Sequence, residues 1–211
     1  MKNMQRWQQL PKVEQWNVVT HWIGIPLTLI AWLIWMQPKL ENMSNRASLV
    51  IYLSSMLFLF AASGWYHFQL VDHKKHRARI LDHIGIFFLI AGTYSPVCAL
   101  ALPDAVGQKL LVMVWSIAAI GVIKKIFFTG KWGKLSLFIY LLMGWLVVWE
   151  FPTIWKVFST EALLFLALGG FFFTIGAIFY AIKSNPFFHV VWHVMVLLGV
   201  ASHFVMIYLL T

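Results

Sequence analysis

Cysteine occurs once, at Cys98, inside an apolar run. No disulfide framework can form and a thiolate metal site has no second sulfur, so Cys98 reads as a small core residue. Acidic side chains are also scarce: seven Asp and Glu stand against sixteen Lys and Arg, and charged residues make up only 11% of the chain. An ordinary soluble domain carries about a quarter charged residues, so that class is excluded. Also missing are a glycine-rich phosphate loop, an internal repeat, a low-complexity tract and an Ala-x-Ala cleavage pattern behind the N-terminal segment. What remains is one bundle of helices with nothing appended.

Apolar and aromatic residues are abundant instead, at 61% and 17% of the 211 positions. The pattern predicts an all-α membrane protein, a seven-helix transmembrane bundle forming a single integral-membrane domain over 1–211. A span takes about 20 apolar residues. Runs suited to this lie at roughly 18–36, 47–68, 80–102, 110–128, 135–149, 162–182 and 187–210. The segment before them, with Lys2, Arg6, Lys12 and Glu14 among Trp7, Leu10 and Trp16, reads as a tail at the membrane surface. Trp22, Trp32 and Trp35 fall toward the ends of the first run, at headgroup level. The fourth run ends in Lys124 and Lys125, the fifth is short, and Gly169, Gly170 and Gly176 in the sixth let neighbouring helices approach closely. The net charge of +9 could suggest nucleic acid, but the cations lie in short clusters between apolar runs, as membrane topology requires. Twelve of them fall on the N-terminal side of the membrane and four on the other, which predicts a cytoplasmic N-terminus and an outward-facing C-terminus.

That orientation brings the costly polar residues to nearly one depth. The second run ends in Ser63 and His67, the third opens with Asp82 and His83, and the seventh opens with His189 and His193. Two histidines four apart on a helix share a face one turn apart, so their ring nitrogens can converge on one ion. Three neutral imidazoles and one water form the open tetrahedral arrangement of catalytic zinc, which makes His67, His189 and His193 the candidate ligands for Zn2+. Asp82 is the acid embedded at this depth, suited to accept a proton from water at the metal, and Ser63, one turn from His67, can orient Asp82 or that water. Each residue also has a plainer reading. His189 and His193 can be packing histidines, His67 an interfacial histidine, and Asp82 a helix N-cap, a role compatible with service at a metal. His83, rotated about 100° from Asp82, faces another helix or headgroups and is left out of the site. His73 and His76 read as solvated. His203 lies about 15 Å along the helix from His193 and reads as a core histidine, with lining a cavity above the metal as the alternative.

Three motifs together resemble those of a known family: Glu14-x-x-Asn17-x-x-x-His21, Ser63-x-x-x-His67 followed by Asp82, and His189-x-x-x-His193. They are similar to the hemolysin III proteins, bacterial members of the progestin and adipoQ receptor family, within a wider group of membrane hydrolases that includes alkaline ceramidases. The resemblance covers essentially the whole chain, with no departure at the positions of the site. It implies a seven-helix bundle in the bacterial cytoplasmic (inner) membrane and zinc on His67, His189 and His193. It also implies Asp82 and Ser63 beside the zinc-bound water, and Glu14, Asn17 and His21 as a polar cluster bracing the site. The longer N-terminal region of the receptor members is missing, which counts against hormone-type signalling.

Three functions compete. The first is an intramembrane zinc hydrolase of lipid amide or ester bonds, with a ceramide-like amide implied by the resemblance. The second is a non-catalytic seven-helix receptor or regulator with structural zinc, against which an open fourth ligand position argues. The third is the membrane-perturbing activity in the hemolysin name, although the hydrophobicity fits permanent insertion rather than a secreted toxin. A retinal-type pump is excluded because the last run carries no lysine. The expected partner is membrane lipid.

Overall fold

Inside a bilayer no water is available to the backbone, so long apolar runs must satisfy their peptide groups internally, as helices. The computed structural model describes residues 2–40 and 45–211. A short helix, Lys2–Gln9, precedes seven helices long and apolar enough to cross a membrane: Lys12–Leu40, Arg46–His67, Asp72–Leu100, Asp104–Phe128, Gly133–Val157, Thr160–Ala181 and Phe187–Leu210, here spans one to seven. No strand occurs among the described residues. Consecutive spans pack side by side and span seven returns to span one, closing a ring. Span three touches spans two, four, five and seven. Its apolar window is 67% buried, against 22–28% for spans one, four, five and six, so it forms the axis of the bundle. The outward surface carries large apolar side chains such as Leu33, Ile120, Phe127 and Phe171, as a lipid-facing surface must.

The helices run past the apolar windows, and this moves several residues. Span three begins at Asp72, so the basic stretch before residue 80 forms its first two turns. Asp82 therefore sits in the third turn. The N-cap reading is overturned, because the free N-H groups of a helix belong to its first turn only. His73 and His76 are exposed on those early turns, as expected. The predicted surface tail is likewise helical from Lys12, which places Glu14 and Asn17 on span one itself.

Spans one and five are interrupted for identifiable reasons. Pro26 supplies no N-H and its ring crowds the carbonyl four residues earlier, that of Trp22. The regular helix stops at Trp22 and resumes at Gly24, and a π turn follows at Trp32–Met36. Span five is α-helical to Trp145, passes through a 3-10 turn at Leu146–Glu150 and continues to Val157. The break frees backbone groups that the Tyr94 hydroxyl collects. It lies 2.9 Å from the Met143 carbonyl and 3.1 Å from that of Gly144, and accepts the Val147 N-H at 2.9 Å. The short fifth run in the sequence ends inside this 3-10 turn.

The glycines of span six do not act alike. A Cβ on Gly169 would lie 2.1 Å from the His203 ring, and one on Gly176 would lie 2.8 Å from Met195 Cβ, so both allow close contact with span seven. Gly170 meets nothing within 4 Å and faces a cavity instead. The expectation holds for two of the three.

Tyr94→Phe removes the acceptor for the half-buried Val147 N-H while keeping the ring. Detergent-solubilised protein carrying this change should be less stable by about 1–3 kcal/mol, seen as a lower melting temperature by circular dichroism. An unchanged melting curve would mean that water serves the 3-10 turn equally well.

Candidate metal centre

The ends of four spans meet at one level of the bundle. Span one brings Glu14, Asn17, Thr20 and His21; span two ends in Ser63 and His67; span three contributes Asp82 and His83; span seven begins with His189 and His193. His67, His189 and His193 each present a ring nitrogen, and these atoms all lie within 4.8 Å of one another. His67 and His193 are buried and His189 is half-buried. Three close histidines of this kind could bind a metal ion.

Hydrogen bonds fix which nitrogens face inward. His67 Nδ1 lies 2.6 Å from Glu14 Oε2. A carboxylate accepts only, so Nδ1 carries the proton and Nε2 keeps its lone pair. His193 Nδ1 lies 3.2 Å from the Asn17 carbonyl oxygen and 3.2 Å from Thr20 Oγ1. The carbonyl again requires a donor, which leaves His193 Nε2 as the free base. His189 Nε2 stands 3.3 Å from His67 Nε2. Two such lone pairs repel unless a proton or a cation lies between them, and a divalent ion satisfies all three rings together. For His67 and His193 the inward lone pair and outward acceptor are what metal-binding imidazoles require, and with His189 beside them the residues present fit a metal of the zinc type.

A polar brace surrounds the rings. Glu14 gives its second oxygen to Lys75 Nζ at 2.7 Å, and the Asn17 amide reaches Glu14 Oε2 at 3.4 Å. His21 stacks on His193 with ring centroids 3.6 Å apart. Among the described residues, both His21 nitrogens, Asn17 Oδ1 and Ser63 Oγ are buried with no hydrogen-bond partner, an uncommon state for four polar atoms in one place. Ser63 Oγ closes no hydrogen bond to the Asp82 carboxylate. Asp82 lines a small cavity of about 20 Å3 with His21, His83, His189, His193 and Tyr180. That volume suits a water molecule.

A second, apolar cavity of about 530 Å3 lies among spans three, five, six and seven. Leu59, Ile86, Trp192 and Val196 line both cavities, so the two share a wall. Its rim includes Trp145, Phe151, Trp155 and Phe171, which are exposed on the outer surface of spans five and six. His203 lines this cavity, with Nε2 3.4 Å from the Leu166 carbonyl, and takes no part in the histidine cluster.

The family described as Haemolysin-III related matches residues 10–204. The chain belongs to the haemolysin III family. It is similar to the Hemolysin-3 homolog of Bacillus subtilis (strain 168), 38% identical over 197 residues that cover 92% of each chain. Hemolysin-3 of Bacillus cereus is 34% identical over 207 residues, covering 96% of this chain and 94% of the relative. The monocyte to macrophage differentiation factor of Homo sapiens is 30% identical over 167 residues, covering 73% of this chain and 66% of that protein. This haemolysin III family protein is thus a multi-pass membrane protein with a possible three-histidine metal site.

The structure adds residues that sequence reasoning passed over. Lys75 was one cation of a cluster explained by topology, yet it pairs with Glu14. Thr20 and Tyr180 carried no motif. His83 is not turned away from the site: it is buried and lines the Asp82 cavity, with its Nδ1 on Lys125 of span four. The available signal for Lys75 was Glu14, an acid at the entry of a membrane-length run, since such a charge needs a cation.

Glu14→Ala removes the acceptor that orients His67. Folded protein should lose about 10- to 100-fold in zinc affinity, measured by competition with a chromophoric chelator. Wild-type affinity in that variant would remove Glu14 from the brace.

Proposed function

We propose that this haemolysin III family protein is a zinc-dependent hydrolase of lipid amide or ester bonds, working inside the bacterial cytoplasmic membrane with its site toward the cytoplasmic face. The observation that carries the reading is the sharing of one wall between a small polar cavity beside three convergent imidazoles and a large apolar cavity. When bound, zinc supplies Lewis acidity, lowering the pKa of water toward about 7 and polarising a carbonyl.

The chain's own residues do the rest. His67, His189 and His193 would hold the ion. Glu14, Asn17 and Thr20 hold two of those rings by their Nδ1 atoms. Asp82, in the small cavity, takes the proton from the attacking water and passes it to the leaving nitrogen or oxygen as the carbonyl C-N or C-O bond breaks. Ser63, whose hydroxyl has no partner among the described residues, orients the attacking water. The apolar cavity takes the acyl chain, which enters sideways from the bilayer past the rim between spans five and six. A purely structural zinc site would be closed by four protein ligands, and the three-ligand set beside a cavity favours chemistry instead.

Purified, zinc-loaded protein should release fatty acid from at least one member of a panel of ceramides and glycerolipids. Asp82→Ala should keep zinc and lose about 10²- to 10⁴-fold in that rate. No release from any lipid, beside an alkaline ceramidase active in the same assay, would overturn the hydrolase reading. Gly170→Leu tests the chain path, because its side chain projects into the large cavity where a Cβ meets nothing within 4 Å. Zinc content should be unchanged, while release of long chains falls roughly fourfold for each methylene displaced, at about 0.8 kcal/mol each.

A further inference from the structure

Lys125 lies in the last turn of span four and is 4% exposed. Among the described residues no carboxylate lies within ion-pair distance of it. Its ammonium is 5.8 Å from the centre of the Tyr140 ring, and Nζ is 3.3 Å from His83 Nδ1. Tyr140 in turn donates its hydroxyl to the His83 carbonyl at 3.0 Å. Spans four and five thus grip both the ring and the backbone of one residue on span three. That is more restraint than a packing histidine needs.

The grip decides the tautomer. An ammonium has donors and no acceptor, so His83 Nδ1 accepts and the ring proton sits on Nε2. Nε2 has no protein partner among the described residues, while the ring lines the small cavity that Asp82, His189 and His193 also line. The cavity therefore holds an acceptor, Asp82, and a donor of fixed polarity, His83, on adjacent residues of one helix. An oxygen that gains negative charge between them would meet the His83 N-H, and the buried cation behind it strengthens that donor.

We propose that His83 donates a hydrogen bond to the substrate's carbonyl oxygen, and that Lys125 is a positioning residue that holds His83 in the Nε2-H tautomer. The identity of the oxygen rests on the lipid-hydrolase reading; the tautomer does not.

The experiment has two parts, both on full-length zinc-loaded protein in detergent. Nitrogen-15 histidine labelling reads the tautomer by long-range proton-nitrogen correlation, with His83 assigned from the signals lost in His83→Gln. Wild type should show His83 as Nε2-H, Lys125→Arg should keep it so, and Lys125→Met should give a mixture or Nδ1-H. Nδ1-H in wild type, or no change in Lys125→Met, overturns the proposal. The assignment can be repeated from the signals lost in His83→Phe, so a misfolded His83→Gln variant does not shield the idea.

The second part measures binding of dodecanoate, whose carboxylate stands in for the reacting oxygen. His83→Phe should bind at least tenfold more weakly than wild type, and His83→Gln, which restores a donor, should stay within about threefold, with zinc near one per chain throughout. Wild-type binding that His83→Phe leaves unchanged overturns this inference alone. No dodecanoate binding by wild type overturns the lipid reading and, with it, the acceptor assigned to His83.

Discussion

A single carboxylate on span one ties the site together. Glu14 reaches His67 Nδ1 at 2.6 Å with one oxygen and Lys75 Nζ at 2.7 Å with the other, linking the start of span one to the end of span two and the start of span three. The same helix holds His193 through the Asn17 carbonyl and Thr20. Span one therefore supplies no candidate ligand but sets the direction of two. Its closeness is built in lower down, where Trp22 fills the space that a Cβ on Gly64 would need, 2.0 Å from Trp22 Cδ1. Any larger residue at position 64 would push span one outward and draw Glu14 away from His67.

The cost of this polar cluster explains where it sits. Ionisable groups in a membrane-length helix are tolerated when they face the bundle interior and find partners. Here they are gathered at one end, around the axis formed by span three. Elsewhere the interior is mostly apolar, and its polar groups are largely satisfied locally, as where Ser55, Ser95 and Ser202 bond carbonyls of their own helices and Tyr94 serves the 3-10 turn of span five. Segregation of this kind lets one bundle hold both a charged site and an apolar cavity.

Much of this was legible in the sequence, and the limits are physical. Seven apolar runs and the spacings Ser63 to His67 and His189 to His193 follow from helix period and bilayer thickness, and those residues do meet in space. What hydropathy does not encode is rotation. Lys124 and Lys125 look alike as end-of-span cations, yet Lys125 is turned inward onto His83 while Lys124 stays at the bundle margin. His83 was assigned away from the site because its direction was judged from Asp82 alone. At the axis of a bundle, neighbours on every side make both directions interior. Span five was read as short because a 3-10 turn interrupts its pattern, and the residue that supports the turn, Tyr94, lies some fifty positions away.

The two cavities also differ in how water can reach them. The wall they share is made of Leu59, Ile86, Trp192 and Val196, which is apolar apart from the indole N-H of Trp192. On the other side, the Glu14–Lys75 pair stands across the start of spans one and three, with its side chains only 22% and 30% exposed. Poor access for bulk water keeps the local dielectric low, and a low dielectric strengthens every contact between Glu14, His67, Asp82 and His83. It also raises the cost of leaving any of them without a partner. The same feature that makes the cluster expensive to build thus makes it responsive, because a lipid oxygen entering from the apolar side would meet donors and acceptors already held in place and little competing water.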